Sequence, residues 1–373
     1  MNMLVRIDDY PAHLNACWQE HLASHNQNAP TVISTFAGCG GSSLGYSMAG
    51  FHELLATDWN EPAMQTFHLN FPGMPLLCRD IAKLSVDDLL RRTDLQPGEL
   101  DVLDGSPPCQ GFSTAGKREL DDPRNNLFRQ YVRLLTGLQP KIFVMENVAG
   151  MVKGLMRLAF VEILRQLKAA GYQVSARLMD TMYFGVPQSR DRMIFIGVRN
   201  DLGIMPSHPK AQTVPVTVRQ AIGMLPLGMP GNHEPQIIKA WSMTKPGQSS
   251  RKVCKYVGSF QSIRLDPEKP SCVQIKAHLN WHYAICRHVT IQEAARIGSF
   301  PDQFRWAGEK GRAKDQIGNS VPPLFMRAIV LHLRQNILDK IKPGQKATRE
   351  TTCAKKEKAS GPAARKAGRK AGK

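Results

Sequence analysis

Thr31-Val32-Ile33-Ser34-Thr35-Phe36-Ala37-Gly38-Cys39-Gly40-Gly41-Ser42-Ser43-Leu44-Gly45 decides the fold. A β-branched apolar run enters a glycine turn and emerges in a helix-like segment that reaches Ala49. Strand, glycine turn and helix start together let a backbone approach a nucleotide closely. Leu54-Leu55-Ala56-Thr57 predicts a second strand. Asp58 stands at its end, 20 residues after Gly38, where a carboxylate can accept hydrogen bonds from ribose hydroxyls. Trp59 follows with a ring that can lie flat on an adenine. A third strand, Met74 to Cys78, leads to Asp80 and Ile81. An acid or aromatic at successive strand ends is a pattern that ordinary turns seldom repeat.

Further along, Leu100 to Leu103 reads as a short buried strand ending in Asp104-Gly105-Ser106-Pro107-Pro108-Cys109-Gln110-Gly111. Two prolines fix the backbone and remove two donors, so neither helix nor sheet continues easily. A buried cysteine is commonly a small hydrophobe. Held after Pro107-Pro108 at a strand end, Cys109 sits where α/β proteins place chemistry. The polar loop from Phe112 to Asn126 has the length of a mobile lid. Lys141 to Met145 predicts a continuous apolar strand closed by Glu146-Asn147-Val148, with a helix following over Ala159 to Ala169. Two more strands, Val174 to Met182 and Met193 to Val198, flank Gln188-Ser189-Arg190-Asp191-Arg192. Alternating strands and helices predict a doubly wound α/β domain. Gln316-Ile317-Gly318-Asn319-Ser320-Val321-Pro322-Pro323 is expected to open a last helix.

The chain therefore divides into an N-terminal extension (1–30), a catalytic and cofactor-binding domain (31–199), an insert (200–285), a segment returning to the first domain (286–342) and a basic tail (343–373). The insert is rich in proline and glycine, with interleaved basic and aromatic residues, and is expected to be small and irregular or β-rich. The tail has little apolar content and is expected to be disordered. Across 373 residues the net charge is +18, with 49 Lys and Arg against 31 Asp and Glu. From Lys346 to Lys373 there are ten Lys/Arg and two Glu. The excess in both body and tail points to a polyanionic partner. The 8 cysteines form no Cys-x-x-Cys pair and no zinc-ligand cluster, so no metal is expected. Unpaired thiols, with no signal-like start and no apolar run of membrane length, predict a cytoplasmic protein.

Phe36-Ala37-Gly38-Cys39-Gly40-Gly41, Pro107-Pro108-Cys109-Gln110, Glu146-Asn147-Val148, Gln188-Ser189-Arg190-Asp191-Arg192 and Gly318-Asn319-Ser320-Val321-Pro322-Pro323 occur in an order that resembles the cytosine carbon-5 DNA methyltransferases. Arg287-His288-Val289-Thr290 and Ser299-Phe300-Pro301-Asp302 extend the likeness, which covers roughly Thr31 to Leu338. It implies a Rossmann-like fold that uses S-adenosylmethionine, with the insert as target recognition domain. It also implies methyl transfer to carbon 5 of a cytosine flipped out of a duplex, through a Cys109–carbon 6 adduct. Adding a thiolate at carbon 6 makes carbon 5 enamine-like, which is covalent catalysis. Glu146 would assist at ring nitrogen 3 as general acid, and Arg190 and Arg192 would stabilise developing charge. The cofactor residues implied are Phe36, Gly38, Gly40, Asp58, Trp59, Asp80, Ile81, Pro108, Asn319 and Val321. Many members carry Glu at the position of Asp58, which is one methylene shorter. Gln110, Ser113, Lys117, Arg118 and Arg124 would meet DNA around the flipped base. The implied partners are double-stranded DNA and a companion restriction endonuclease, with one active site per chain and no need of a second subunit. Two other readings share these residues: methylation of a transfer RNA cytosine, and a non-catalytic DNA-binding regulator.

Overall fold

The computed structural model describes residues 3–23, 28–108, 125–152, 156–250, 263–274 and 279–341. Cys109, Gln110, Ser113, Lys117, Arg118, Arg124 and the tail from 343 lie outside the described residues. The strands are β1 (Thr31–Thr35), β2 (His52–Asp58), β3 (Leu76–Cys78), β4 (Val102–Gly105), β5 (Ile142–Val148), β6 (Tyr172–Asp180) and β7 (Asp191–Arg199). They form one sheet in the order β3-β2-β1-β4-β5-β7-β6. Every neighbouring pair from β3 to β5 is parallel, and β7 runs antiparallel to both β5 and β6. The chain leaves β1 toward β2 and β3, then returns to build β4 and β5 on the other side. Strand order thus reverses between β1 and β4, the place where open α/β sheets receive ligands.

Side chains alternate across the sheet with the period of two that strands impose. Val32, Val102, Ile142 and Val144 enter one core, while Ile33, Leu103, Phe143 and Met145 enter the other. The helices are α1 (Tyr10–Ala23), α2 (Gly41–Met48), α3 (Glu61–Asn70), α4 (Val86–Thr93), α5 (Asn125–Leu138), α6 (Met156–Ala169), α7 (Val218–Ile222), α8 (Pro235–Met243), α9 (Ile291–Ile297), α10 (Lys310–Asn319) and α11 (Pro323–Asn336). The first core includes residues of α1, α2, α7, α9 and α11, and the second residues of α4, α5 and α6. Helices lie on both faces, giving the Rossmann-like α/β architecture.

Four local features differ from expectation. Residues before Thr31 are not peripheral: Tyr10, Leu14, Cys17 and Trp18 of α1 are buried in the first core, and Val5 bridges to Thr213. The strand β5 runs on through Glu146 and Asn147 because β7 pairs with it as far as Val148. The Gly318–Pro323 motif opens α11 as expected, but its first two residues also end a separate helix, α10. Finally, Val216, Val218, Ala221 and Ile222, inside the expected insert, are buried in the first core. The rest of the described insert is irregular, with α8 and isolated bridges such as Ser249 to Ile263 and Arg264 to Trp281.

Candidate active site

The carboxyl ends of β1 to β5 open onto a cleft of about 930 Å³, a size that suits a small-molecule cofactor. Phe36, Gly38, Asp58, Trp59, Asp80, Ile81, Pro108, Glu146, Asn319 and Val321 all line it. Gly40, Arg190 and Arg192 do not.

The turn after β1 is held in an uncommon backbone. Phe36 has φ 55° and Gly38 φ 56°; a bulky residue in the left-handed region is strained and such strain gathers at ligand sites. A β-carbon built on Gly38 would meet nothing within 4 Å, so its face is open toward the cleft. Gly40 (φ 96°) faces the other way, since a β-carbon there would lie 2.8 Å from the ring of Phe71. Asp58 grips this turn. Its Oδ2 accepts from the Gly38 amide and its Oδ1 from the Asn60 amide, both at 2.8 Å. Burial pushes the Asp58 carboxyl up, and the amide donors at Asn60, Gly38 and Trp59 oppose that shift. With three amides donating, about one of the carboxylate's four lone-pair sites is left for a hydroxyl. Trp59 is 75% exposed, leaving a ring face free to stack. Asp80 accepts from the Ala82 amide at 2.9 Å, which caps a short helical turn and seats Ile81 beside it.

The opposite wall comes from α10. Arg312, Asp315, Gln316 and Asn319 line the cleft at the i, i+3, i+4, i+7 spacing of one helical face. Gln316 donates from Nε2 to the Pro62 carbonyl at 3.2 Å, while its buried Oε1 has no partner among the described residues. It is an acceptor suited to a ligand's amine or hydroxyl. Asn319 was among the residues expected at the cofactor, while Arg312, Asp315 and Gln316 were not. Recognising α10 over this stretch would have supplied them through periodicity. Cys39 also lines the cleft; burial pushes its thiol up to about 12, so it is a protonated hydrophobe.

Glu146 and Arg192 are brought together. They lie diagonally across the β5–β7 pair, since Glu146 faces Ile194 and Val148 faces Arg192. Arg192 Nε is 2.6 Å from Glu146 Oε1, with both side chains largely buried. The contact is an ion pair and not an in-line hydrogen bond from that N–H. Arg190 goes elsewhere: its Nη1 donates to the Gly318 carbonyl at 2.9 Å and the Gln274 carbonyl at 3.3 Å. Burial, with the neighbouring Arg192 charge, pulls its guanidinium below the usual arginine range. Arg190 thereby ties the start of β7 to the Gly318 turn and to residue 274. Asn147 donates from Nδ2 to the Pro107 carbonyl at 2.9 Å, joining β5 to the proline turn that precedes position 109.

A family model described as C-5 cytosine-specific DNA methylase matches residues 30–226 and 227–335. The chain is 39% identical over 321 residues to the Type II methyltransferase M1.HphI of Haemophilus parahaemolyticus, covering 80% of this chain and 85% of that protein. It is 32% identical over 361 residues to M.XorII of Xanthomonas oryzae, covering 80% and 83%. Among solved structures, an Escherichia coli prophage protein described as a DNA modification methyltransferase superposes with TM-score 0.72 at 25% identity, covering 83% of this chain and all of that one. Spodoptera frugiperda DNMT2, with TM-score 0.57 and 20% identity over 80% of this chain and 98% of that one, shares the fold.

Proposed function

The chain belongs to the C-5 cytosine-specific DNA methylases, and on that premise we propose that it moves a methyl group from S-adenosylmethionine to carbon 5 of a flipped cytosine in a specific duplex sequence. One observation carries the reading: a single cleft is lined by the nucleotide-type residues Gly38, Asp58, Trp59 and Asp80 and also by Glu146 and Pro108, immediately before Cys109 in sequence.

S-adenosylmethionine supplies an electrophilic methyl on a sulfonium. The residues present suit it: an open glycine face at Gly38, a free ring face at Trp59, a remaining acceptor site at Asp58 and an unpartnered acceptor at Gln316. Asp58 would hold the ribose, Trp59 and Ile81 the adenine, and Asn319 and Val321 the methionine portion. Cys109 would add as thiolate to carbon 6. Glu146, carrying a proton, would donate from one carboxyl oxygen to ring nitrogen 3, with Arg192 holding the other oxygen, Oε1. General acid assistance of this kind contributes about 10²–10⁴ in rate. When the carbon 5 proton leaves, the Cys109 sulfur is expelled and the aromatic ring is restored. Asn147 and Arg190 serve as positioning residues for the Pro107 turn and the Gly318 turn.

The part of residues 200–285 outside the first core would form the recognition domain and enter the major groove, with exposed Lys239 and Lys245 on phosphates. The relatives' names as Type II methyltransferases support a place in a restriction-modification system, with a companion endonuclease cutting the same site. The test is to incubate the full chain with methyl-labelled S-adenosylmethionine and either duplex DNA or transfer RNA, then identify the modified nucleoside. Label in DNA 5-methylcytosine is expected. Label in RNA alone, or in neither, overturns the proposal.

A further inference from the structure

The adenine end of the cleft rests on one turn of backbone. Asp80 and Ile81 both line the cleft, at the start of a 3-10 turn of three residues, Ile81–Lys83. Such turns have poorer hydrogen-bond geometry than an α-helix and are weak on their own. Asp80 caps this one through Oδ1, which accepts from the Ala82 amide at 2.9 Å and leaves Oδ2 for a donor on the ligand. The amide of Ile81, first residue of the turn, has no acceptor inside it. A carboxylate oxygen next to a free N–H complements the edge of adenine, where the N6 amine donates and N1 accepts. That edge is matched as long as Ile81 keeps its orientation.

The brace on Ile81 comes from α5. Arg133 donates from Nη2 to the Ile81 carbonyl at 3.0 Å, and from Nε to Gln130 Oε1, one turn earlier on the same helix, at 2.7 Å. The Ile81 carbonyl also accepts from the Leu84 amide at 3.2 Å, so both of its lone pairs are used. Gln130 aligns the guanidinium, whose planar fork then delivers a donor in a fixed direction. Ile81 and Leu84 are buried in the second core along with Tyr131 and Leu134 of α5. Apolar contact holds the turn down, and Arg133 fixes how it is rotated. We propose that Arg133 is a positioning residue that sets the selectivity of the cleft for adenine, holding Ile81 by its carbonyl so that the Ile81 amide meets N1 and Asp80 meets N6. The inference rests on the proposed function and adds to it the residue that makes the cofactor site specific for one base. Arg133 does not line the cleft and acts through Ile81. A purine with oxygen at carbon 6 and a proton on N1 presents the opposite pattern, an acceptor to Asp80 and a donor to the Ile81 amide. A site built to pair polar groups rejects a ligand that leaves them unpaired.

Equilibrium binding of S-adenosylhomocysteine and of S-inosylhomocysteine to the full chain gives an affinity ratio that reports this selectivity. The unmodified chain should prefer the adenine ligand. Arg133→Met should lower the preference about tenfold, which is ~1.4 kcal/mol, through loss of S-adenosylhomocysteine affinity. Arg133→Lys, which keeps a donor for the carbonyl, should recover most of it. A brace that only stabilised the fold would weaken both ligands alike, so an unchanged ratio in folded Arg133→Met overturns the inference. A lysine variant no more selective than the methionine variant overturns it too. Should Arg133→Met not fold, Gln130→Leu carries the test by removing the acceptor that aligns the guanidinium: a lowered ratio supports the inference and an unchanged one overturns it. Failure of S-adenosylhomocysteine to bind the unmodified chain refutes the proposed function, whereas binding with no preference for adenine refutes this inference alone.

Discussion

Gly45→Ala tests how the glycine-turn helix is fitted to the end of the chain. In an isolated helix this change would stabilise by about 0.5–1 kcal/mol, because alanine loses less backbone entropy than glycine. Here the sign should reverse. A β-carbon at position 45 would stand 2.7 Å from the Met326 β-carbon, 2.7 Å from the Pro323 carbonyl oxygen and 2.8 Å from the Arg327 amide nitrogen. Two of these three are backbone atoms of α11, so no flexible side chain can give way. Relief requires α2 and α11 to separate, and overpacking of this kind costs about 1–3 kcal/mol. The net expectation is a loss of about 1–2 kcal/mol, a fall of a few degrees in melting temperature. Val321, just before α11, lies on the cofactor cleft and its carbonyl would sit 2.4 Å from a β-carbon on Gly41. Displacing α11 should therefore weaken S-adenosylmethionine binding too. Thermal denaturation and equilibrium binding measure the two effects. An unchanged or raised melting temperature would refute the close-packing argument.

Three further outcomes follow from other parts of the molecule. Arg287→Met should cost about 3–5 kcal/mol, because Arg287 Nη1 and Nη2 hold the buried Glu293 carboxylate at 2.8 Å each, while Nη2 and Nε also donate to the Leu227 carbonyl; a denaturant midpoint shift worth under ~1 kcal/mol would contradict this. Glu53 binds its proton more tightly folded than unfolded, so its contribution is most favourable below its ordinary value of 4.5 and declines as pH rises through about 7. Stability of the unmodified chain relative to Glu53→Gln should thus fall by about 3 kcal/mol between pH 4.5 and pH 8, and parallel stability–pH curves would exclude it. Removing residues 346–373, with ten Lys/Arg, should flatten the dependence of random-duplex binding on salt by about 0.9 in log–log slope for each phosphate the tail neutralises; equal slopes would assign the tail no DNA contact.

Local signals in the chain were sufficient wherever backbone chemistry and side-chain chemistry coincide. The run Thr31–Thr35 ends at Phe36 because the glycine turn needs left-handed backbone, and Asp58 follows at the spacing that lets it bind the Gly38 amide. Pairing between distant strands was less legible. Glu146 belongs to β5 only because β7 runs antiparallel beside it, and the same register creates the Glu146–Arg192 pair. Two arginines two residues apart suggested one shared role, yet Arg190 lies before β7 and its guanidinium meets carbonyls of Gly318 and Gln274. The α10 wall was hidden for another reason. Lys310–Asn319 is polar and carries two glycines, so its helical form depends on packing against α9 and not on propensity.

The most direct test of the central claim uses duplex DNA in which 5-fluorocytosine replaces cytosine. Fluorine at carbon 5 cannot leave as a proton does, so an enzyme that has added Cys109 to carbon 6 and transferred the methyl stays attached. Incubation with S-adenosylmethionine should yield a protein–DNA adduct that survives denaturing electrophoresis and is absent for Cys109→Ser. No adduct with the unmodified chain, or an adduct that persists in Cys109→Ser, would contradict the account.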